Sequence, residues 1–172
     1  FFALELGAVF PQAAGGVALM LFAIQSVRLV FWHTPGIWRK PLLWGLYLAV
    51  VWFDVGFLLT GWSRLGLFGG LSPFVAVHAF AYGGIGMATL SMMARVSLGH
   101  TGRSIHHPPR WTGMMLGLLA MGTGVRVILP ALIPSHHLTW VVMSQGLWVA
   151  AFGLFLILYG RFLVGREGGG VG

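Results

Sequence analysis

Five stretches of this chain are long and apolar enough to cross a bilayer, and they follow one another with short connections. A membrane-spanning helix needs ~20 predominantly apolar residues. The qualifying runs are 13–32, 42–62, 74–98, 112–132 and 138–162. They predict an all-α integral membrane protein, a bundle of about five transmembrane helices filling residues 1–164, with a flexible Gly-rich tail over 165–172. The composition points the same way: 58% of the 172 residues are hydrophobic and 8% charged, and the mean hydropathy is +0.88. A soluble domain carries ~25% charged residues, so most of this surface must be solvated by the lipid bilayer.

The breaks between runs have local causes. Pro35 and Pro41 bracket the first connection. Ser72-Pro73 reads as an N-cap with Pro at the first helical position. Gly99 stands where a C-cap glycine belongs. Pro108-Pro109 precede the fourth run, and Pro130 and Pro134 surround its end.

A formal net charge of +7 would suggest nucleic acid in a soluble protein. Here the basic residues are scattered and flank apolar runs, and no basic run is dense enough for a nucleic-acid patch. Arg39, Lys40, Arg103, Arg110, Arg161 and Arg166 fall on one side of the membrane and Arg64 on the other. The arginine-rich side is therefore expected to face the cytoplasm. Phe1 to Gln12, the Arg64–Ser72 connection and the connection holding His136 and His137 then lie outside. Trp32, Trp38, Trp62, Trp111 and Trp140 fall at the interfaces, as an aromatic belt should.

The absence of cysteine excludes disulfides, thiolate metal sites, iron–sulfur clusters and covalent haem attachment. Phe1 in place of Met suggests a processed, truncated or partly covered chain, and no signal peptide is recognisable. Glu5, Asp54 and Glu167 are the three carboxylates, which leaves little room for paired-carboxylate chemistry. No phosphate loop, dinucleotide fingerprint, zinc protease motif or nucleophile elbow occurs.

Ionisable residues inside a span are costly and mark functional sites by default. Asp54 on the second run, His78 on the third and Arg126 on the fourth all fall ~7–12 Å beneath the outer face at ~1.5 Å per residue. Gln145 on the fifth joins that layer. One reading is an Asp54–Arg126 ion pair locking two helices, with His78 hydrogen-bonded nearby. The other is a cofactor pocket in which His78 ligates haem iron or another metal and Arg126 neutralises a propionate or other anion. At 100° per residue, His78, Tyr82, Ile85, Thr89, Met92, Met93 and Val96 share one stripe of the third helix. Gly84, Ala88, Ser91 and Arg95 form a second stripe, small enough for close packing. Gly113-x-x-x-Gly117 reads as a further close-packing motif. Arg28 and Arg95 are explained by snorkelling. The adjacent pairs His106-His107 and His136-His137 read as exposed loop residues, and His33 as interfacial.

The stretch from His78 to Arg103, HAFAYGGIGMATLSMMARVSLGHTGR, is long and distinctive. It resembles the signature of the NnrS family: a His, Gly-rich turns, a Met-Thr-Leu-like core, an Arg and a terminal Leu-Gly-His-Thr-Gly-Arg. The ending here is Ser97-Leu98-Gly99-His100-Thr101-Gly102-Arg103, and the core reads Met87-Ala88-Thr89-Leu90 with an inserted Ala. Trp148-x-x-Ala151-Phe152-Gly153-Leu154-Phe155 also fits. The resemblance implies a multi-pass protein of the bacterial inner membrane that contains haem, of non-covalent b-type, and copper, and serves nitric oxide response or denitrification. Family members carry about twice as many helices, so the chain resembles their carboxy-terminal half. The missing amino-terminal half or other membrane subunits are then the expected partners.

The resemblance adds weight to His78 and His100 as metal ligands. They are ~33 Å apart along a straight helix and cannot share one metal atom. His78 is ranked first as haem ligand, with Tyr82, Arg126 and Asp54 as candidate cofactor-binding residues. No second axial ligand is evident in the outer layer. Three functions follow in order: a haem-binding protein of nitric oxide response or related respiratory redox chemistry, a non-catalytic structural or assembly subunit of a larger respiratory complex, and a transporter.

Overall fold

Proline sets the start of three of the five long helices. In the computed structural model, which describes residues 10–67 and 72–164, α1 (Pro11–Trp32), α2 (Pro41–Leu65) and α3 (Pro73–His100) each open with Pro in the first turn. There its missing N–H costs nothing and its fixed φ suits the helix. Helices α4 (Thr112–Leu132) and α5 (His137–Val164) follow. Short 3-10 turns at Pro35–Arg39 and Pro134–His136 close two of the connections. All five helices meet the length and hydropathy of a membrane span, and each end lies within three residues of the sequence expectation. The protein is an all-α membrane bundle. The expected tail at 165–172 and most of the outer segment 1–12 lie outside the described residues.

The helices alternate in direction. Lys40–Leu43 line one small cavity with Ile105, His106 and Pro108 at the arginine-rich end. Ser72 and Phe74 meet Pro130, Pro134 and His137 at the other end. The core lies between α2, α3, α4 and α5, around Ala49, Met87, Leu90, Leu116, Leu119, Phe155 and Tyr159. The Tyr159 hydroxyl, the one polar group among these side chains, is hydrogen-bonded to that of Thr112 at 2.7 Å. Helix α1 packs chiefly on α2. Its other face, with Met20, Ile24, Val27 and Phe31, is exposed, as suits a lipid-facing helix.

Three local expectations are corrected. Helix α3 runs through Gly99 to His100, and the left-handed residue is Gly102, with φ 64°. Arg103 N–H donates to the Leu98 carbonyl and Gly102 N–H to that of Gly99, which is a Schellman ending. The Gly113/Gly117 pair makes no close helix approach: a Cβ on Gly117 would meet nothing within 4 Å and one on Gly113 only Pro41 at 3.8 Å. Third, α3 is not uniform. Residues Ala79–Ile85 form a π-helical segment between the α-helical turns Pro73–His78 and Gly86–His100.

That π segment is shaped by close packing. A Cβ on Gly83 would stand 2.5 Å from Trp52 Cγ and 2.8 Å from Thr123 Cγ2, and one on Gly84 2.8 Å from the Phe53 ring. Phe80 lies against Gly56 and packs edge-on to Phe57 at 5.1 Å between ring centroids. Two adjacent glycines therefore let α3 press onto α2 and α4 together. Lower down, the small stripe behaves as expected: Ser91 is buried, and a Cβ on Gly45 of α2 would fall 2.5 Å from its hydroxyl.

Candidate functional site

The π segment decides what the outer half of α3 presents. Each residue added to a turn rotates the remainder of the helix by about 100° relative to a regular α-helix. His78 and Tyr82 face α4 and α5, where they line a cavity of about 480 Å³ with Arg126, Gln145, Trp148 and Val149. The rest of the expected polar stripe turns away: Ile85, Met92, Met93 and Val96 are exposed on the lipid-facing surface. The predicted cavity face is thus restricted to the outer end of the helix.

Each wall is held by a specific contact. The Tyr82 hydroxyl donates to the Ser144 main-chain carbonyl, tying α3 to α5. Gly122 of α4 makes room for that hydroxyl, which would overlap any Cβ there. Trp148 stacks on Phe152 at 4.1 Å between ring centroids and forms the apolar floor.

A second cavity, of about 650 Å³, opens from the same pair of residues toward the outer face. His78 and Arg126 line it with Ser72, Phe74, Pro130, Pro134 and His137. Pro130 sits four residues after Arg126 inside α4, so it offers no N–H to the Arg126 carbonyl. Arg126 Nη1 is buried without a hydrogen-bond partner, and no hydrogen bond from His78 to another described residue is formed. The site thus offers, between two cavities, an imidazole and a guanidinium nitrogen that make no hydrogen bond to another described residue.

Asp54 is placed elsewhere. It is 5% exposed, and its Oδ2 accepts a 2.7 Å hydrogen bond from Ser26 of α1 while Oδ1 has no partner. The direct Asp54–Arg126 ion pair expected from their common depth is not formed. Asp54 lines neither of the two cavities. His100 stands at the far end of α3 and lines neither cavity either.

The remaining histidines mostly have local partners. His33 Nε2 accepts from the Trp38 indole at 3.1 Å. His107 pairs with Ser104, and His136 with Ser135. His137 differs from its expected place in a loop: it is the first residue of α5 and lines the outer cavity with His78. The signal that would have found it is its position one residue before an apolar run, at the same end as His78. Among the described residues no three His, Asp or Glu side chains gather as a metal site.

The fold and site together define a polytopic all-α membrane protein with a histidine–arginine cavity beneath one face. The NnrS protein family model matches residues 1–166, nearly the whole chain, and the chain belongs to that family. No curated protein and no solved structure matches it.

Proposed function

We propose that this chain is a multi-pass protein of a bacterial inner membrane, active in the nitric oxide response, that binds haem in the cavities between α3, α4 and α5. Membership of the NnrS family supports the nitric oxide role. One observation carries the site: the half-buried Arg126, whose buried Nη1 no described residue satisfies, shares both cavities with His78. A buried charge left uncompensated is expensive, and an anionic group of a bound cofactor relieves it.

The donor set fits haem. His78 is the iron ligand in this reading, and Arg126 takes a propionate through charge-assisted hydrogen bonds. Tyr82, Trp148 and Val149 supply wall, and the chain's lack of cysteine makes the attachment non-covalent. His137, across the outer cavity from His78, is the one other imidazole placed to reach the same group. Bound haem would supply a redox-active iron able to take a diatomic gas. The protein's part is to hold the imidazole, balance the propionate and keep lipid out. The proposal is confined to haem.

The test is the absorbance spectrum and haem content of the purified His78→Ala, His137→Ala and His100→Ala variants. Haem should be lost from His78→Ala and retained in His100→Ala, with a changed band position in His137→Ala. Haem unchanged in His78→Ala, or lost only from His100→Ala, overturns the assignment.

A further inference from the structure

The arginine-rich end of the α4–α5 pair carries a groove that the haem site does not use. It measures about 560 Å³ and lies between the start of α4 and the end of α5. Arg110 and Arg161 stand on its rim with Trp111, and Met114, Leu154 and Ile157 line its depth. Leu154 is seven residues before Arg161, or ~10 Å along the helix, so the lining passes from cationic to apolar over two turns. Trp111, Met114 and Ile157 are 46%, 50% and 72% exposed, so the groove opens sideways to the bilayer.

The rim has positive charge and no answering negative charge among the described residues. Arg161 lies 5.0 Å and Arg103 4.0 Å from the Phe162 ring, gathering two guanidiniums on one aromatic. Arg110 lies 4.7 Å from the Trp111 ring. The one carboxylate among the described residues is Asp54, which is deep within α2 and bonded to Ser26. The aromatic contacts leave the guanidinium edges free to donate. Two forks above an apolar slot at interface depth match a phosphate above an acyl chain.

We infer that this groove is a binding site for an anionic phospholipid, with its phosphate on Arg110 and Arg161 and an acyl chain along Met114, Leu154 and Ile157. The charge complementarity distinguishes it from the exposed α1 face of Met20, Ile24, Val27 and Phe31, which is purely apolar. At roughly a five-fold gain per arginine near an anionic headgroup, two arginines give about a 30-fold preference for anionic over zwitterionic lipid.

The experiment is native mass spectrometry of the full chain in detergent, titrated with phosphatidylglycerol or with phosphatidylcholine of the same acyl chains. One phosphatidylglycerol should bind about 30-fold more tightly than phosphatidylcholine. The double variant Arg110→Gln/Arg161→Gln should bring the two lipids to parity, and Arg39→Gln, at the same end outside the groove, should leave the preference intact. Equal binding of the two lipids by the wild type overturns the proposal. So does an equal loss in Arg39→Gln, which would mean diffuse charge, or displacement of the lipid by an equal concentration of inorganic phosphate, which would mean a free-anion site. A measurement on the wild type alone guards against a misfolded variant: photoactivatable phosphatidylglycerol should label residues 109–114 and 154–161. Labelling concentrated elsewhere overturns the site.

Discussion

Replacing Arg126 with Met separates what the arginine costs the fold from what it gives the site. Its Nη1 is buried with no partner. An unsatisfied buried donor costs ~1–3 kcal/mol, and more when it is charged. Arg126 also lines the cavity that opens toward the outer face, so part of that penalty is relieved by hydration. A net cost of ~1–2 kcal/mol remains. Met preserves most of the apolar stem and its packing. Haem-free Arg126→Met should therefore be more stable than haem-free wild type by ~1–2 kcal/mol, or a few degrees in melting temperature for a chain of this size. With haem the sign reverses. Losing a charge-assisted bond worth ~1.5–3 kcal/mol weakens haem binding by roughly 10- to 150-fold. The assay is thermal unfolding in detergent, followed by tryptophan fluorescence, on haem-free protein and across a haem titration. If haem-free Arg126→Met is destabilised by more than ~1 kcal/mol, the guanidinium has a partner within the fold and the reasoning fails. Unchanged haem affinity would remove Arg126 from the site.

Two further predictions concern the frame around the site. Gly83→Val should destabilise by ~1–3 kcal/mol or more through overpacking against Trp52 and Thr123, whereas Gly153→Ala, with nothing within 4 Å of the new carbon, should be near neutral; thermal unfolding of both, side by side, decides it. Single cysteines at Ser104 and Ser135, in a chain that has none of its own, should react with a membrane-impermeant thiol reagent from opposite sides of the membrane, and labelling from one side would refute the alternation of helices.

The five spans were legible because the bilayer imposes a length and a composition that few other environments demand. Pro41 and Pro73 made the starts of α2 and α3 readable almost to the residue. The end of α3 was misplaced because two glycines, Gly99 and Gly102, compete for one role, and only main-chain bonds to Leu98 and Gly99 identify which takes it. The common depth of His78, Arg126 and Gln145 was legible from position along the spans, Tyr82 followed His78 on its helical stripe, and those four share one cavity. Depth says nothing of azimuth, so it could not show that Asp54 turns to Ser26 on α1. The α-helical stripe drawn from His78 to Val96 failed for a related reason. A fixed 100° step cannot anticipate a π segment, which is selected by the fit of Gly83 and Gly84 against side chains of other helices.

The same π segment explains why two opposite charges at one depth stay apart. Gly83 touches Trp52 of α2 and Thr123 of α4 at once, so α3 is wedged between the helix of Asp54 and the helix of Arg126. Toward the arginine-rich end, α2 and α4 approach directly, as Leu116 against Gly45 shows. The wedge therefore acts where the charges are. A regular α-helix with larger side chains at positions 83 and 84 could not press between α2 and α4 in this way. Each charge would then have its cheapest partner in the other, since an unpaired ion in the bilayer interior is more costly than a bonded pair. Instead Asp54 is left to a serine, and Arg126 is held open beside His78. Violations of local rules gather at functional sites. Here the irregular helical turn, the helix-interior proline and an arginine Nη1 that no described residue satisfies all meet at one end of the bundle, where a bound anion would supply the missing partner.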